Sequence, residues 1–305
     1  MGHEPNHPYV ILDVFTDRPL QGNQLAVFTE GQEIPSRLMQ AAAREINLSE
    51  TVFLLPGDNG ADAQLRIFTP ATELPFAGHP VLGAAFVVAA RQGLHSVRLR
   101  TGAGVVPVHL SHHYPSAPAA DDASGDEWEL VYGEMEQPHP ELRSFTAAED
   151  LLKALGLAQA VAPVEQYVNG PEHVVVLVES VELVRELNPD LAALAALNPA
   201  GGICVCALAG PGQVHARVFC PGLGVPEDPA TGSAAGPLTL HLARHGHSEW
   251  GELIQIAQGI ELGRPSTLLA RVVGSGSAAT GALQLEQITV GGGAVRVAEG
   301  NFRLQ

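Results

Sequence analysis

The sequence predicts an α/β protein of mixed sheets, built as two similar, pseudo-symmetric domains. Three observations lead there. The chain has 305 residues, and at roughly 150 residues per domain that length suits two. Short β-branched or aromatic runs are interrupted by segments of helical periodicity along the whole chain. One pattern of strand, loop, glycine turn and helix occurs twice.

In the first half, Tyr9–Phe15, Gln24–Phe28, Thr51–Leu55 and Ala63–Phe68 read as strands, bounded by Gly, Pro, Asp or Asn. Ser36–Ile46 reads as a helix, with Leu38, Met39, Ala42, Ala43 and Ile46 at helical spacing, and Pro80–Arg91 as an Ala-rich apolar helix. In the second half, Thr146–Leu155, Val181–Leu197 and Ala234–Arg244 are expected to be helical. His173–Val178, Ile203–Leu208 and Val214–Phe219 are expected to be strands. Residues His109–Glu127 hold Ser, Pro, Ala, Asp and Gly with little periodicity, as a surface loop would. This divides the chain into a first domain over 1–115, a linker or loop over 116–127, and a second domain over 128–305 whose last strand is free to return to the first.

The repeat aligns Arg66-Ile67-Phe68-Thr69-Pro70, followed after four residues by Pro75, with Arg217-Val218-Phe219-Cys220-Pro221, followed after four by Pro226. A glycine turn comes next in each half, Ala77-Gly78-His79-Pro80 and Ala230-Thr231-Gly232-Ser233, and leads into an Ala-rich helix. Upstream, Gly22-Asn23 has a looser counterpart in Asn169-Gly170. Two such halves pack most naturally about a pseudo-two-fold axis, with a ligand in the cleft between them and both glycine turns facing it. A helix N-terminus presents unpaired N–H groups and the positive end of the helix dipole, so two of them suit a small carboxylate. Pro80 fits the first helical position, and Ser233 is able to cap or donate.

Composition removes several alternatives. With 16 Lys+Arg against 33 Asp+Glu, the net charge is −17, which repels a phosphate backbone; no local basic patch offsets it. The longest apolar stretch, Val81–Ala90, is about half the ~20 residues a membrane span needs. Met1-Gly2-His3-Glu4-Pro5 has neither a basic nor an apolar region, so no signal peptide is expected, and Asn6 stands where a myristoylation motif needs Ser or Thr. Three cysteines fit a reducing compartment better than a disulfide scaffold. A soluble, cytoplasmic protein is expected, with no nucleic-acid or membrane partner.

Three residues stand out as able to move protons or orient a substrate. Glu50 lies in Asn47-Leu48-Ser49-Glu50-Thr51, where a helix ends and an apolar strand begins, and a partly dry carboxylate there suits general acid/base work. His79 and Asp228 occupy matching turns in the two halves. Glu227 competes with Asp228 for that role, and composition does not separate them. His241 and His245, four apart near a helix end, have metal-ligand spacing, but a solvated pair interacting with the helix C-terminus is the simpler expectation, and no metal is assigned. His112-His113 has no partner carboxylate at ligand spacing. P-loop and GxSxG motifs are absent. Gly102-Ala103-Gly104 and Gly274-Ser275-Gly276 are not completed as GxGxxG. Cys204, Cys206 and Cys220 read as packing residues, and neither glycine turn contains a cysteine.

These segments resemble the PhzF-like phenazine-biosynthesis family, relatives in fold of diaminopimelate epimerase. The matching stretches are Asp13-Val14-Phe15-Thr16-Asp17-Arg18-Pro19 with Gly22-Asn23, then Leu48 to Phe53, Arg66 to Pro80, and Arg217 to Ala234. Gln258-Gly259, Gly263 to Ser266 and Val290-Gly291-Gly292 follow in order, and Gln24 departs from the proline usual after Gly-Asn. The resemblance implies two diaminopimelate epimerase-like domains, each a curled sheet around a central helix, a homodimer, and an isomerase without a cofactor. The characterised reaction in that family is isomerisation of trans-2,3-dihydro-3-hydroxyanthranilate by proton transfer. By position, Glu50 is implied as the acid/base, with His79, Asp228 and Ser233 as the other polar groups and Gly78 and Gly232 as backbone donors. The epimerases place one cysteine in each glycine turn, which His79 and Ser233 replace here.

The expected function is therefore proton transfer on a small carboxylate-bearing substrate. The rival readings are an epimerase or racemase working with two carboxylates, and a non-catalytic protein that binds small anions in the retained cleft. Incomplete glycine patterns put a nucleotide-dependent enzyme further off.

Overall fold

In a computed structural model of the chain, residues 6–58, 60–115 and 131–304 are described. The linker expected at 116–127 lies outside them. The first elements are β1 (Asn6–Val14), β2 (Asn23–Phe28), α1 (Ser36–Ile46), β3 (Glu50–Pro56), β4 (Ala63–Phe68), β5 (Glu73–Leu74), α2 (Gly78–Gln92), β6 (Ser96–Thr101), β7 (Gly104–Ser111) and β8 (Tyr132–Glu136). Next come β9 (Glu141–Ser144), α3 (Ala148–Leu155), β10 (Glu165–Val168), β11 (Glu172–Leu177), α4 (Val181–Arg185) and α5 (Leu191–Leu197). The chain continues through β12 (Gly201–Gly210), β13 (Gln213–Cys220), β14 (Val225–Asp228), α6 (Gly232–Arg244), β15 (Leu253–Gln258), β16 (Ser266–Ser277), β17 (Ala282–Gly292) and β18 (Ala294–Arg303). Two compact units result: Met1–Met135 with Gly291–Gln305, and Glu136–Val290.

Each unit is a mixed sheet, and the two repeat one pairing scheme. In the first, β18, β1, β2, β3, β4, β6, β7 and β8 follow one another, with β2/β3 and β4/β6 parallel and the other neighbours antiparallel. In the second, β9, β10, β11, β12, β13, β15 and β16 follow one another, with β11/β12 and β13/β15 parallel and the rest antiparallel. The short strands β5 and β14 add to β4 and β13 at equivalent places. The repeated pentapeptide thus marks a duplicated architecture.

The central helix explains why these sheets curl. In α2 every residue from Gly78 to Ala89 is buried, and the helix touches β1, β2, β3, β4, β6 and β7 of its own unit. A helix apolar on all sides must be covered on all sides. In α6 all residues from Gly232 to Arg244 are buried, against β11, β12 and β16 among others. Outside α2, the first sheet packs its other face on α1 through Phe28, Ile34, Met39, Phe53 and Phe68, with Phe28 and Phe53 stacked at 4.6 Å. Leu151, Leu155, Val176, Val184, Leu194 and Val205 form the corresponding outer core of the second unit.

Three local expectations are corrected. The single helix expected over Val181–Leu197 is two, because Pro189 has no N–H to continue the ladder and biases Asn188 away from helix. Ser180 Oγ accepts from the Leu183 amide and Asp190 Oδ1 from the Ala193 amide, capping the pieces at 3.3 and 3.0 Å. His109–Ser111, expected in a loop, belongs to β7. Pro80 is the third residue of α2 rather than the first, still within the turn whose N–H groups have no intrahelical acceptor.

Candidate functional site

In the first unit the site grows from the parallel pair β2/β3. Their register sets Leu25 opposite Glu50, and Glu50 opens β3 with its side chain only 15% exposed. The head of α2 lies beside it, and His79 Nε2 is 3.4 Å from Glu50 Oε2. Asn23, the first residue of β2, brings its side-chain nitrogen to 3.1 Å from His79 Nδ1. His79 is 3% exposed. Burial drives its pKa down to about 3, a backbone hydrogen bond with Gln24 opposing the shift only in part. A neutral imidazole therefore faces the Glu50 carboxylate. Gly78 starts α2, where amide groups lack intrahelical acceptors and the dipole is positive.

The second unit repeats the frame with other chemistry. Asp228 ends β14, is 7% exposed, and its Oδ2 accepts from Thr231 Oγ1 at 2.6 Å. Gln258, from β15, ties this turn together. Its Nε2 donates to the Asp228 carbonyl at 2.8 Å, and its Oε1 accepts from the Thr231 amide at 3.1 Å. Gly232 and Ser233 form the head of α6. Ser233 is not a cap: its Oγ lies 2.9 Å from Nε2 of buried His173 on β11. Burial drives the pKa of His173 down to about 4. Pro237 has no N–H for the Ser233 carbonyl one turn back, and Asn169 Nδ2 donates to that carbonyl instead at 3.1 Å. Gln137 Nε2 similarly holds the Gly232 carbonyl at 2.7 Å. Asn23 and Asn169, partners in the repeat, thus each reach the residue that follows the turn glycine.

Glu227 and Asp228 are now distinguishable. Arg217 donates through Nε and Nη2 to both Glu227 oxygens at 2.9 and 2.8 Å, and its guanidinium lies over Phe219. Arg66 does the same to Glu73 at 2.7 and 2.7 Å, over Phe68. These bidentate pairs are the structural reason for the repeated arginine. Glu227 is occupied in a clamp, whereas Asp228 belongs to the turn that carries Gly232 and Ser233.

The second candidate cluster is corrected in one respect. His241 is fully buried and His245 9% exposed at the side chain, so the pair is not solvated. His241 Nδ1 and His245 Nε2 lie 3.3 and 3.0 Å from Glu165 Oε2, which also accepts from Arg244 at 2.6 Å and Tyr167 at 2.7 Å. Burial opposes ionisation of Glu165, but those four donors outweigh it and hold the carboxyl well below its usual range. The three ligand-type atoms lie within 4.8 Å of one another. However, a metal on His241 Nδ1 would leave its buried Nε2 as an N–H, and that atom has no partner among the described residues. With a guanidinium already on the carboxylate, the cluster fits a buried clamp between β10 and the end of α6, not a cation site. Cys204, Cys206 and Cys220 are buried and form no disulfide with one another.

Of the sequence-predicted residues, Glu50, His79 and Gly78 come together in the first unit, and Asp228, Gly232 and Ser233 in the second. Sequence reasoning missed Asn23, Asn169, His173, Gln137 and Gln258 as neighbours of these groups. Only the two asparagines left a signal, in the looser upstream part of the repeat.

The chain resembles known proteins over nearly its whole length. The family model for phenazine biosynthesis-like proteins matches residues 12–300. Over 299 residues the sequence is 42% identical to trans-2,3-dihydro-3-hydroxyanthranilate isomerase of Pseudomonas fluorescens, covering 98% of this chain and 100% of the relative. A PhzF-family phenazine biosynthesis protein from Bacillus anthracis has the same fold, with TM-score 0.79 and 23% identity over 98% of this chain and 100% of that one. A predicted epimerase from Pseudomonas aeruginosa gives TM-score 0.77 and 30% identity over 98% and 100%.

Proposed function

Because this chain belongs to the phenazine biosynthesis-like family and is one of its isomerases, we propose that it moves a proton on a small carboxylate-bearing substrate, with Glu50 carrying the proton. The observation that supports this best is the Glu50–His79 pair: a largely enclosed carboxylate 3.4 Å from an imidazole that burial keeps neutral. A neutral neighbour adds no positive charge to hold Glu50 permanently ionised, so the carboxyl is able to accept a proton and return it. The substrate we propose is close to that named for the Pseudomonas fluorescens relative, trans-2,3-dihydro-3-hydroxyanthranilate.

In this reading, Glu50 removes a proton from a carbon activated by an adjacent carboxylate or enamine and delivers it to another carbon of the same molecule. His79 and Asp228 hold the substrate's polar groups. The amides at Gly78 and Gly232, with Ser233, receive its carboxylate and the negative charge that develops during transfer. Acid/base transfer by a placed carboxylate contributes about 10²–10⁴-fold, and stabilisation of the developing charge the larger share.

No helix of the described residues is long and apolar enough to cross a membrane. A cytoplasmic homodimer is proposed, for which sedimentation in the 31.9 kDa chain's working buffer is the test. The reaction itself is tested by proton NMR in D₂O with the dihydro-hydroxyanthranilate. Deuterium incorporation or a shifted double bond that requires Glu50 supports the reading. Equal turnover by Glu50→Gln excludes it.

A further inference from the structure

We propose that His173 keeps its proton on Nε2 and donates it to Ser233 Oγ, committing the Ser233 hydroxyl hydrogen outward as a donor to an oxygen of the bound small molecule. Ser233 is then a binding group and not a nucleophile, and His173 is the residue that positions it. The outward role of Ser233 rests on the reading above; the proton's location does not.

Two arrangements are compatible with the 2.9 Å contact between His173 Nε2 and Ser233 Oγ. In one, the serine donates to Nε2 and the ring proton sits on Nδ1. This is the arrangement of an activated nucleophile with its base. In the other, Nε2–H donates and Nδ1 is a bare lone pair. The surroundings of Nδ1 decide between them. That atom is buried and has no partner among the described residues. It faces the backbone of β12 so closely that a Cβ on Gly202 would come within 3.0 Å of it. The first arrangement would place an N–H donor with its hydrogen against that wall and no acceptor to receive it, at the desolvation cost of a buried unmade hydrogen bond. The second strands only an acceptor. A charged ring is disfavoured as well, since the side chain is 2% exposed and burial alone takes its pKa down to about 4.

The consequence lies at the head of α6. Ser233 is 5% exposed, and its backbone is fixed by Asn169 Nδ2 on its carbonyl at 3.1 Å. Once Oγ accepts from His173, the remaining hydrogen points away from the ring. It joins the amides of the first helical turn, which have no intrahelical acceptor. Such a set of donors suits a carboxylate oxygen.

The test is long-range proton–nitrogen NMR on protein carrying ¹⁵N-histidine at pH 7, with the His173 signals assigned by their loss in His173→Gln. The expected result is a neutral ring protonated at Nε2. Protonation at Nδ1, or a doubly protonated ring, overturns the inference. A fluorophosphonate probe is expected to leave Ser233 unmodified, and its labelling would equally overturn it. In turnover assays His173→Gln, whose amide is able to donate to Oγ, keeps KM within about threefold, whereas His173→Phe raises it about tenfold or more with a smaller change in kcat. An unchanged KM in a folded His173→Phe protein removes the positioning role. Because the NMR measurement needs no substrate, a lack of isomerase turnover would defeat the proposed reaction while leaving the proton's location decided.

Discussion

Replacing Glu227 by Ala removes one partner of the Arg217 clamp, and the outcome follows from burial. Arg217 and Glu227 are 9% and 11% exposed at the side chain, whereas the repeat-related Arg66 and Glu73 are 23% and 43% exposed. The two pairs have nearly the same bidentate geometry, so solvent access is the main difference. Stranding a buried charge costs about 3–5 kcal/mol, while an exposed pair contributes about 0.2–1 kcal/mol. At about 2–4 °C per kcal/mol for units of this size, Glu227→Ala is expected to lower the melting temperature by about 6–20 °C. Glu73→Ala should lower it by about 4 °C or less. Arg217 also donates to the Leu187 and Val184 carbonyls at 2.8 and 3.2 Å, which places the Glu227 loss toward the lower part of its range. Scanning calorimetry of both variants is the assay. Equal shifts, or a larger one for Glu73→Ala, would refute the assignment of Glu227 as a buried clamp.

The buried histidines make a pH prediction. His79 and His173 have folded pKa values of about 3 and about 4, below the unfolded value of about 6.5. The unfolded chain therefore binds more protons between those limits, and stability falls as pH drops below about 6.5, by about 1.4 kcal/mol per unit for each histidine. Urea titrations at pH 7 and pH 5 measure this, and His173→Gln should reduce the slope by one histidine's share, up to about 1.4 kcal/mol per pH unit; an unchanged slope contradicts the neutral ring. Gly201→Ala should destabilise by more than about 1–3 kcal/mol, since its Cβ would strike the Glu172 carbonyl oxygen, a backbone atom with little room to move. A variant as stable as the parent would show that the start of β12 is looser than described.

Much of the architecture was legible because duplication writes the same instruction twice. The pentapeptides from Arg66 and Arg217 mark β4 and β13, and the glycine turns mark α2 and α6. The apolar run after Glu50 gave the head of β3 because a buried strand needs no alternation. What stayed hidden depends on distance along the chain. His173 meets Ser233 across 60 residues and Gln137 meets Gly232 across 95, and no local pattern announces a hydrogen bond between separate strands and helix heads. The choice between Glu227 and Asp228 was equally invisible. It depends on which carboxylate faces Arg217, a property of the β13/β14 pairing. His241 and His245 were misjudged as solvated because their helix is buried to its last turn, where helix ends are ordinarily wet.

The central claim is that Glu50 carries the proton. It is tested most directly by proton NMR in D₂O, following dihydro-hydroxyanthranilate with the parent protein and with Glu50→Gln. The account predicts deuterium incorporation with a moved double bond in the parent. In the variant it predicts a rate lower by at least about 10²–10⁴-fold, with an unchanged fold by circular dichroism. Solvent exchange at the parental rate in Glu50→Gln would contradict it.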